Sequence, residues 1–428
     1  MRPTNESLYP AQIAEEVRER WAAAGRAAEV LPAPDALSRL LDIAYQASLL
    51  REETQLVRCR LILASPFDFE GVFSAGTERP VICRFDAASA LTAHEIRKLA
   101  TAAGYYRALL GVGPDAAGTL KIWGMVFTGT HWLDRVDGGR LAVNELPHRL
   151  VVHILAPGRL RVACGHERVL ETSTGILLYE GFDPFRSRWL PRQFREVRQA
   201  LVASAVVPES GARTSTAVTI CDNFVRDAAQ SVVRRALGLV RSRGHGGLLA
   251  MVSATADPSA IDRWFRFRVR FQPDSGARRY QTLMRQLLER LLFLGQAAGL
   301  EKITWHEYRS LHDPALADME QQLIEFTHVL ADLMSVDGAL VLDRTFRIIG
   351  FGGEILGDQP VARIHRALDL EADRTVDEPA DSSGTRHRSA YRFVDGMRDA
   401  LAVVVSQDGA VSFVAHHRDR LTYWPYLP

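Results

Sequence analysis

Three short segments late in the chain carry residue types that can do chemistry on phosphates. Ser335-Val336-Asp337-Gly338-Ala339 puts a carboxylate at the junction of a predicted helix and a predicted strand. A carboxylate there can hold a divalent cation or take a proton from a hydroxyl. Gly338 lets a ligand come close to the backbone. Ser383-Gly384-Thr385-Arg386-His387-Arg388-Ser389-Ala390 reads as a loop leading straight into a helix. Helix N-termini present free N–H groups and the positive end of the dipole. Forked guanidinium groups match phosphate oxygens. Residues 403–412 read as a hairpin turning at Asp408-Gly409, with Ser406 at the end of a buried strand. Each segment alone also fits a plain reading: a turn dipeptide, a solvated basic turn and a simple hairpin.

In this order, Asp-Gly-Ala, then Gly-Thr-Arg-His-Arg, then Val-Ser-x-x-Gly, the three segments together resemble the diadenylate cyclase domain family. The resemblance covers roughly residues 220–428 and is sharpest over 324–414. It implies an enzyme that joins two ATP molecules into cyclic di-AMP and releases pyrophosphate. It also implies a homodimer or higher homo-oligomer whose active sites face each other, because each domain holds one ATP. Carried over, Asp337 binds Mg²⁺ or Mn²⁺ and helps activate the ribose 3′-hydroxyl. Gly338 and Ala339 lie against the nucleotide, and Leu356 packs on adenine. Gly384, Thr385, Arg386, His387 and Arg388 hold the phosphates, with Ser406 on the phosphate side as well. The chain departs from the family in three places. Gln407 follows the serine where some members carry Glu, and Ser389 replaces a more usual Ala. The connection between the motifs is long and acidic (Asp369, Glu371, Asp373, Asp377, Glu378, Asp381), which reads as a mobile lid or a disordered insert. A catalytically inactive relative that binds ATP or a cyclic dinucleotide is the alternative.

The elements that position these residues follow from periodicity. Residues 223–243 place Val225, Ala228, Val232, Val233, Ala236 and Val240 at helical spacing, and Gly244-His245-Gly246-Gly247 ends that helix. Further helices are expected over 278–298, 315–334 and 389–398. Strands are expected over 248–252, 264–271, 336–342, 346–351, 401–405 and 410–415. Helices alternating with strands point to an α/β sandwich around a mixed sheet. Before it, helices are read at 10–28, at 35–50 and, behind the capping-box pattern Thr92…Glu95, at 91–110. Strand-like segments are read at 57–63, 81–85, 120–127, 150–155, 160–164 and 176–179, with a turn at Asp137-Gly138-Gly139. The aromatic and basic stretch Phe182–Arg192 reads as a loop. Residues 208–216 look like a linker, so the division expected is 1–210, a mixed α/β sensor or interaction module, and 220–428, the nucleotide domain.

Composition narrows the classes. With 52 basic and 51 acidic residues the net charge is +1, so binding to nucleic acid through bulk charge is not expected. Cys59, Cys83, Cys164 and Cys221 form no CxxC pair, which argues for reduced thiols rather than zinc or disulfides. His148, His153 and His166 lie along strands without further ligands nearby, and are read as strand residues. No apolar run approaches the ~20 residues of a membrane span, so a cytoplasmic protein without membrane contact is expected. The arginine, alanine and valine bias suggests a GC-rich bacterial source.

Overall fold

The computed structural model describes residues 8–69, 80–105, 107–128, 146–165, 167–178, 183–205, 218–357, 359–407 and 409–426. The turn 137–139, the segment 208–216, and Tyr179, Phe182, His166 and Asp408 of the sequence reading lie outside them. The chain is α/β throughout and divides into two compact units, the second beginning at Gly181.

The first unit carries helices α1 (Pro10–Ala23), α2 (Pro34–Ser48) and α3 (Ala93–Ala103). Its strands are β1 (Cys59–Leu63), β2 (Val81–Ala90), β3 (Ala108–Pro114), β4 (Leu120–Phe127), β5 (Leu150–Ala156), β6 (Arg159–Cys164), β7 (Glu167–Ser173) and β8 (Ile176–Leu178). They form one sheet in the order β8-β7-β6-β5-β1-β3-β4-β2. Ile13, Val17, Trp21, Leu37, Leu40, Leu41, Ile96 and Ala100 bury the helices against Leu61, Leu110, Val152 and Val162 of the sheet. The Thr92 hydroxyl accepts from the Glu95 N–H and starts α3. Gly104, at φ +55°, stops α3 well short of residue 110. Residues 108–114 therefore become a central strand rather than the end of a helix.

The second unit begins with α4 (Arg195–Ser204) and α5 (Asp222–Arg243), followed by β9 (Gly247–Val252) and α6 (Pro258–Trp264). Two short strands follow, β10 (Phe265–Arg266) and β11 (Val269–Arg270), and then α7 (Arg279–Ala297) and α8 (Pro314–Met334). After them come β12 (Ala339–Asp343), β13 (Ile348–Ile355), β14 (Arg363–Ala367), β15 (Thr375–Pro379), α9 (Thr385–Gly396), β16 (Leu401–Val405), β17 (Val411–His417) and β18 (Arg420–Tyr426). The sheet runs β10-β13-β12-β9-β16-β17-β18-β14-β15, and β11 also pairs with β13. Alternation along the central strands sorts the layers. Leu249, Met251, Leu340 and Leu342 face α5, α7 and α8. Leu248, Ala250, Ala339 and Val341 face Ala390, Tyr391, Phe393 and Val394 of α9.

Four further expectations change. The continuous strand 264–271 starts one residue later, since Trp264 still belongs to α6, and is two short pieces that pair with β13 on either side of Gly352-Gly353, where Gly352 sits at φ +61°. The helix expected from 389 begins at Thr385, so Thr385 to Arg388 are its first turn and not a preceding loop. The acidic connection is neither lid nor disordered insert: it is the hairpin β14–β15. The Asp369 carboxylate accepts from the N–H groups of Glu371, Asp373 and Arg374 and closes its turn. Asp377 pairs with Arg363, and Glu378 with Arg366 and the Tyr423 hydroxyl. Finally, residues 183–204 pack with the second unit: Phe185, Trp189 and Leu190 are buried in its core, and Trp189 stacks on Trp424 at 4.2 Å. The division thus falls earlier than the linker-like composition at 208–216 suggests.

Candidate functional site

The ends of two central strands and one helix meet around an open cleft of about 800 Å³, a size typical of small-molecule sites. Asp337 and Gly338 reach it from the turn between α8 and β12, and Gly384 to His387 from the start of α9. Ser406 and Gln407 reach it from the end of β16. Residues some seventy positions apart are brought together because β12 and β16 flank β9 on either side.

Backbone geometry at Gly338 is demanding. It sits at φ +103°, and a Cβ there would lie 2.6 Å from the carbonyl carbon of Gly352. Only glycine lets the turn close on β13. The turn leaves the Asp337 side chain 93% exposed, with Oδ1 4.0 Å from an Arg386 Nη2. The Arg386 guanidinium lies beside the Gly244–Gly247 turn: a Cβ on Gly246 would come within 3.1 Å of its Nη1. His387 Nε2 lies 3.3 Å from Ser412 Oγ on β17. Ser406 donates its N–H to Ala410 and accepts from Gly409, which fixes the strand end.

The first turn of α9 contains no acidic residue and carries Arg386 and Arg388. Cations at a helix N-terminus oppose the dipole. An anion among those side chains and N–H groups would offset that opposition. Asp337 and Glu354 are the carboxylates lining the cleft. No group of three or more His, Cys, Asp or Glu able to cage a metal occurs among the described residues. A single carboxylate suits an ion that brings phosphate and water oxygens with it, the usual habit of Mg²⁺. Asp337 therefore fits a nucleotide-borne divalent cation.

Not every residue singled out in the sequence lines the cleft. Ala339 is buried in β12, paired with Leu248 and Gly353 below the cleft. Arg388 is exposed and Leu356 is 37% exposed, and neither lines it. Residues without a reading as ligands do line it: Leu248, Gly352, Gly353, Glu354, Ile355 and Arg392. Arg392 stands at i+7 from Thr385, a signal hidden by starting the helix at Ser389. Elsewhere, His153 Nδ1 pairs with the Tyr105 hydroxyl at 2.9 Å. Cys59, Cys83, Cys164 and Cys221 are all free thiols.

Comparison with known proteins bears first on the other unit. Residues 26–127 match the family described as "Probable sensor domain DACNV". No curated protein matches the chain. Among solved structures, the hypothetical membrane spanning protein from Bacillus cereus is similar at 17% identity and a TM-score of 0.23. That match covers 47% of this chain and 64% of the other, so the chain spans less than two thirds of its length. At that score the likeness carries no argument about the fold. No helix among the described residues is long and apolar enough to cross a membrane.

Proposed function

We propose that the C-terminal unit is a diadenylate cyclase, condensing two ATP molecules into cyclic di-3′,5′-AMP with release of pyrophosphate, under the control of the N-terminal sensor-type domain. The observation that carries the reading is the convergence of Asp337, the first turn of α9 and Ser406 on one cleft. The match of residues 26–127 to a sensor family supports a regulated signalling protein.

The residues divide the work. Arg386, His387 and the free N–H groups of α9 hold the triphosphate and spread its charge. Ser406 contacts the α-phosphate side. Asp337 takes the proton from the ribose 3′-hydroxyl and would hold Mg²⁺ or Mn²⁺, which supplies charge neutralisation on the phosphates. Each 3′-oxygen then forms a bond to the α-phosphorus of the other ATP, and the bond to pyrophosphate breaks. Positioning and electrostatic stabilisation account for the rate, as in other phosphoryl-type transfers. One cleft holds one nucleotide, so two copies of the chain face each other during turnover.

The test is direct. The purified full chain is incubated with ATP and either Mg²⁺ or Mn²⁺ across a range of protein concentrations, and products are separated by chromatography. Cyclic di-AMP whose rate rises more steeply than protein concentration is expected. Absence of product with both metals at every concentration rejects the enzyme.

A further inference from the structure

A second cavity lies on the face of the sheet that carries α5, α7 and α8, and shares no residue with the cleft. It measures about 70 Å³, and its wall is almost wholly apolar, with Val225 and Ala229 of α5, Met251 of β9 and Val403 of β16 on it. Val197 and Leu201 of α4 close one side, yet none of the ten residues of α4 is buried. Protein interiors are close-packed, and an unfilled apolar space costs stability. A dry cavity of ~150 Å³ admits benzene, so one of about half that size suits a short alkyl chain.

The polar groups at this cavity are cations and donors. Arg198, Arg226 and Arg344 line it, and no carboxylate does among the described residues. Arg198 donates to the Pro191 carbonyl at 2.6 Å, and Arg226 pairs with Asp227 at 2.9 Å. Burial first, and then Arg226, holds the Arg198 guanidinium below the usual arginine range, with Asp222 offsetting part of this. Arg344 gives Nη2 to Asp399 Oδ1 at 2.7 Å and to Gln193. Its buried Nε has no acceptor among the described residues. Tyr280 also lines the cavity and is 3% exposed. Burial pushes its phenol up, and among the described residues no hydrogen bond offsets this. A buried hydroxyl or N–H left unpaired is costly.

Two unpaired donors at one cavity call for an acceptor, and three arginines make that acceptor an anion. The two oxygens of a carboxylate match the two donors. We propose that this cavity binds a small monocarboxylate, its short alkyl tail in the apolar space beneath α4 and its carboxylate received by Arg344 and Tyr280. The site is independent of the nucleotide reading.

The experiment is a saturation-transfer NMR titration of the full chain with acetate, butanoate, pentanoate and 1-pentanol. Affinity rises about fourfold per methylene from acetate to pentanoate, and pentanoate binds about tenfold more tightly than 1-pentanol, which lacks the charge. Tyr280→Phe weakens pentanoate about tenfold without lowering the melting temperature, because the hydroxyl removed pairs with nothing in the unliganded chain. Ala229→Leu fills the cavity and abolishes binding while the melting temperature holds or rises. If that variant does not fold, Tyr280→Phe decides. No binding of pentanoate, equal binding of pentanoate and 1-pentanol, or unchanged pentanoate binding in either folded variant overturns the inference.

Discussion

Two sets of charged side chains, one on each sheet, make opposite use of the same residue types. In the first unit Arg60, His153, Arg161 and Glu171 stand directly opposite one another across β1, β5, β6 and β7. Glu171 has no exposed side-chain surface and lies 2.7 Å from both Arg159 and Arg161. Burial alone would raise its carboxyl; Arg161 and then Arg159 outweigh that and bring it down to about 2. In the second unit Asp337 is almost wholly exposed and its nearest guanidinium is 4.0 Å away. The difference is one of commitment. A buried carboxylate clasped by two arginines is part of the folded structure, and removing it exposes the cost of burying its partners. An exposed carboxylate at a strand end costs the fold little and is free to meet a ligand.

The comparison is broken or sharpened by substitution. The largest effect is expected at Asp337→Asn. Product formation should fall at least about hundredfold while the melting temperature stays unchanged; a parallel loss of stability would mean that Asp337 is structural. Glu171→Gln should do the reverse to the first unit, lowering its stability by about 3 kcal/mol, read from urea unfolding. Gly338→Ala drives a Cβ into the backbone of Gly352. It should cost roughly 2 kcal/mol through strain and reduce product as well, since it moves the turn that carries Asp337. The pH dependence follows from Glu171. Its folded carboxyl is depressed, so its stabilisation is complete above pH 4.5 and is lost as pH falls toward 2. Unfolding midpoints measured across that interval should slope in wild type and flatten in Glu171→Gln. The smallest effect, about 1 kcal/mol, is expected for Thr92→Ala, which removes the cap of α3.

What could be read in advance, and what could not, has a physical pattern. Amphipathic period exposed α5, α7 and α8, because each buries one stripe. The buried strands β9, β12 and β16 showed as apolar runs. Asp337, Arg386 and Ser406 could be picked out because their types suit phosphate chemistry and they sit at element ends. Their convergence could not be derived from local pattern, since it depends on β12 and β16 flanking β9. Arg392 was missed because an arginine on an amphipathic helix looks like any solvated one until the opposite wall is known. The acidic segment misled because its charges suggested disorder, whereas Asp369 uses its carboxylate to tie a turn. Strand β18 escaped notice because Arg420 to Tyr426 mixes polar, aromatic and proline residues.

The placement of β18 governs the order in which the sheet can be completed. It lies between β17 and the β14–β15 hairpin, and pairs with β14 in parallel. During synthesis the hairpin emerges before α9, β16 and β17, yet among the described residues its seat on the sheet is a strand made after all three. Until then it is an unattached pair of strands with open edges, the kind of surface through which nascent chains stick to one another. Asp377 and Glu378 on β15 meet Arg363 and Arg366 on β14, so the hairpin carries its own ion pairs before its seat is made. The acidity that looked like a lid thus holds the hairpin to itself until the strand that seats it has been made.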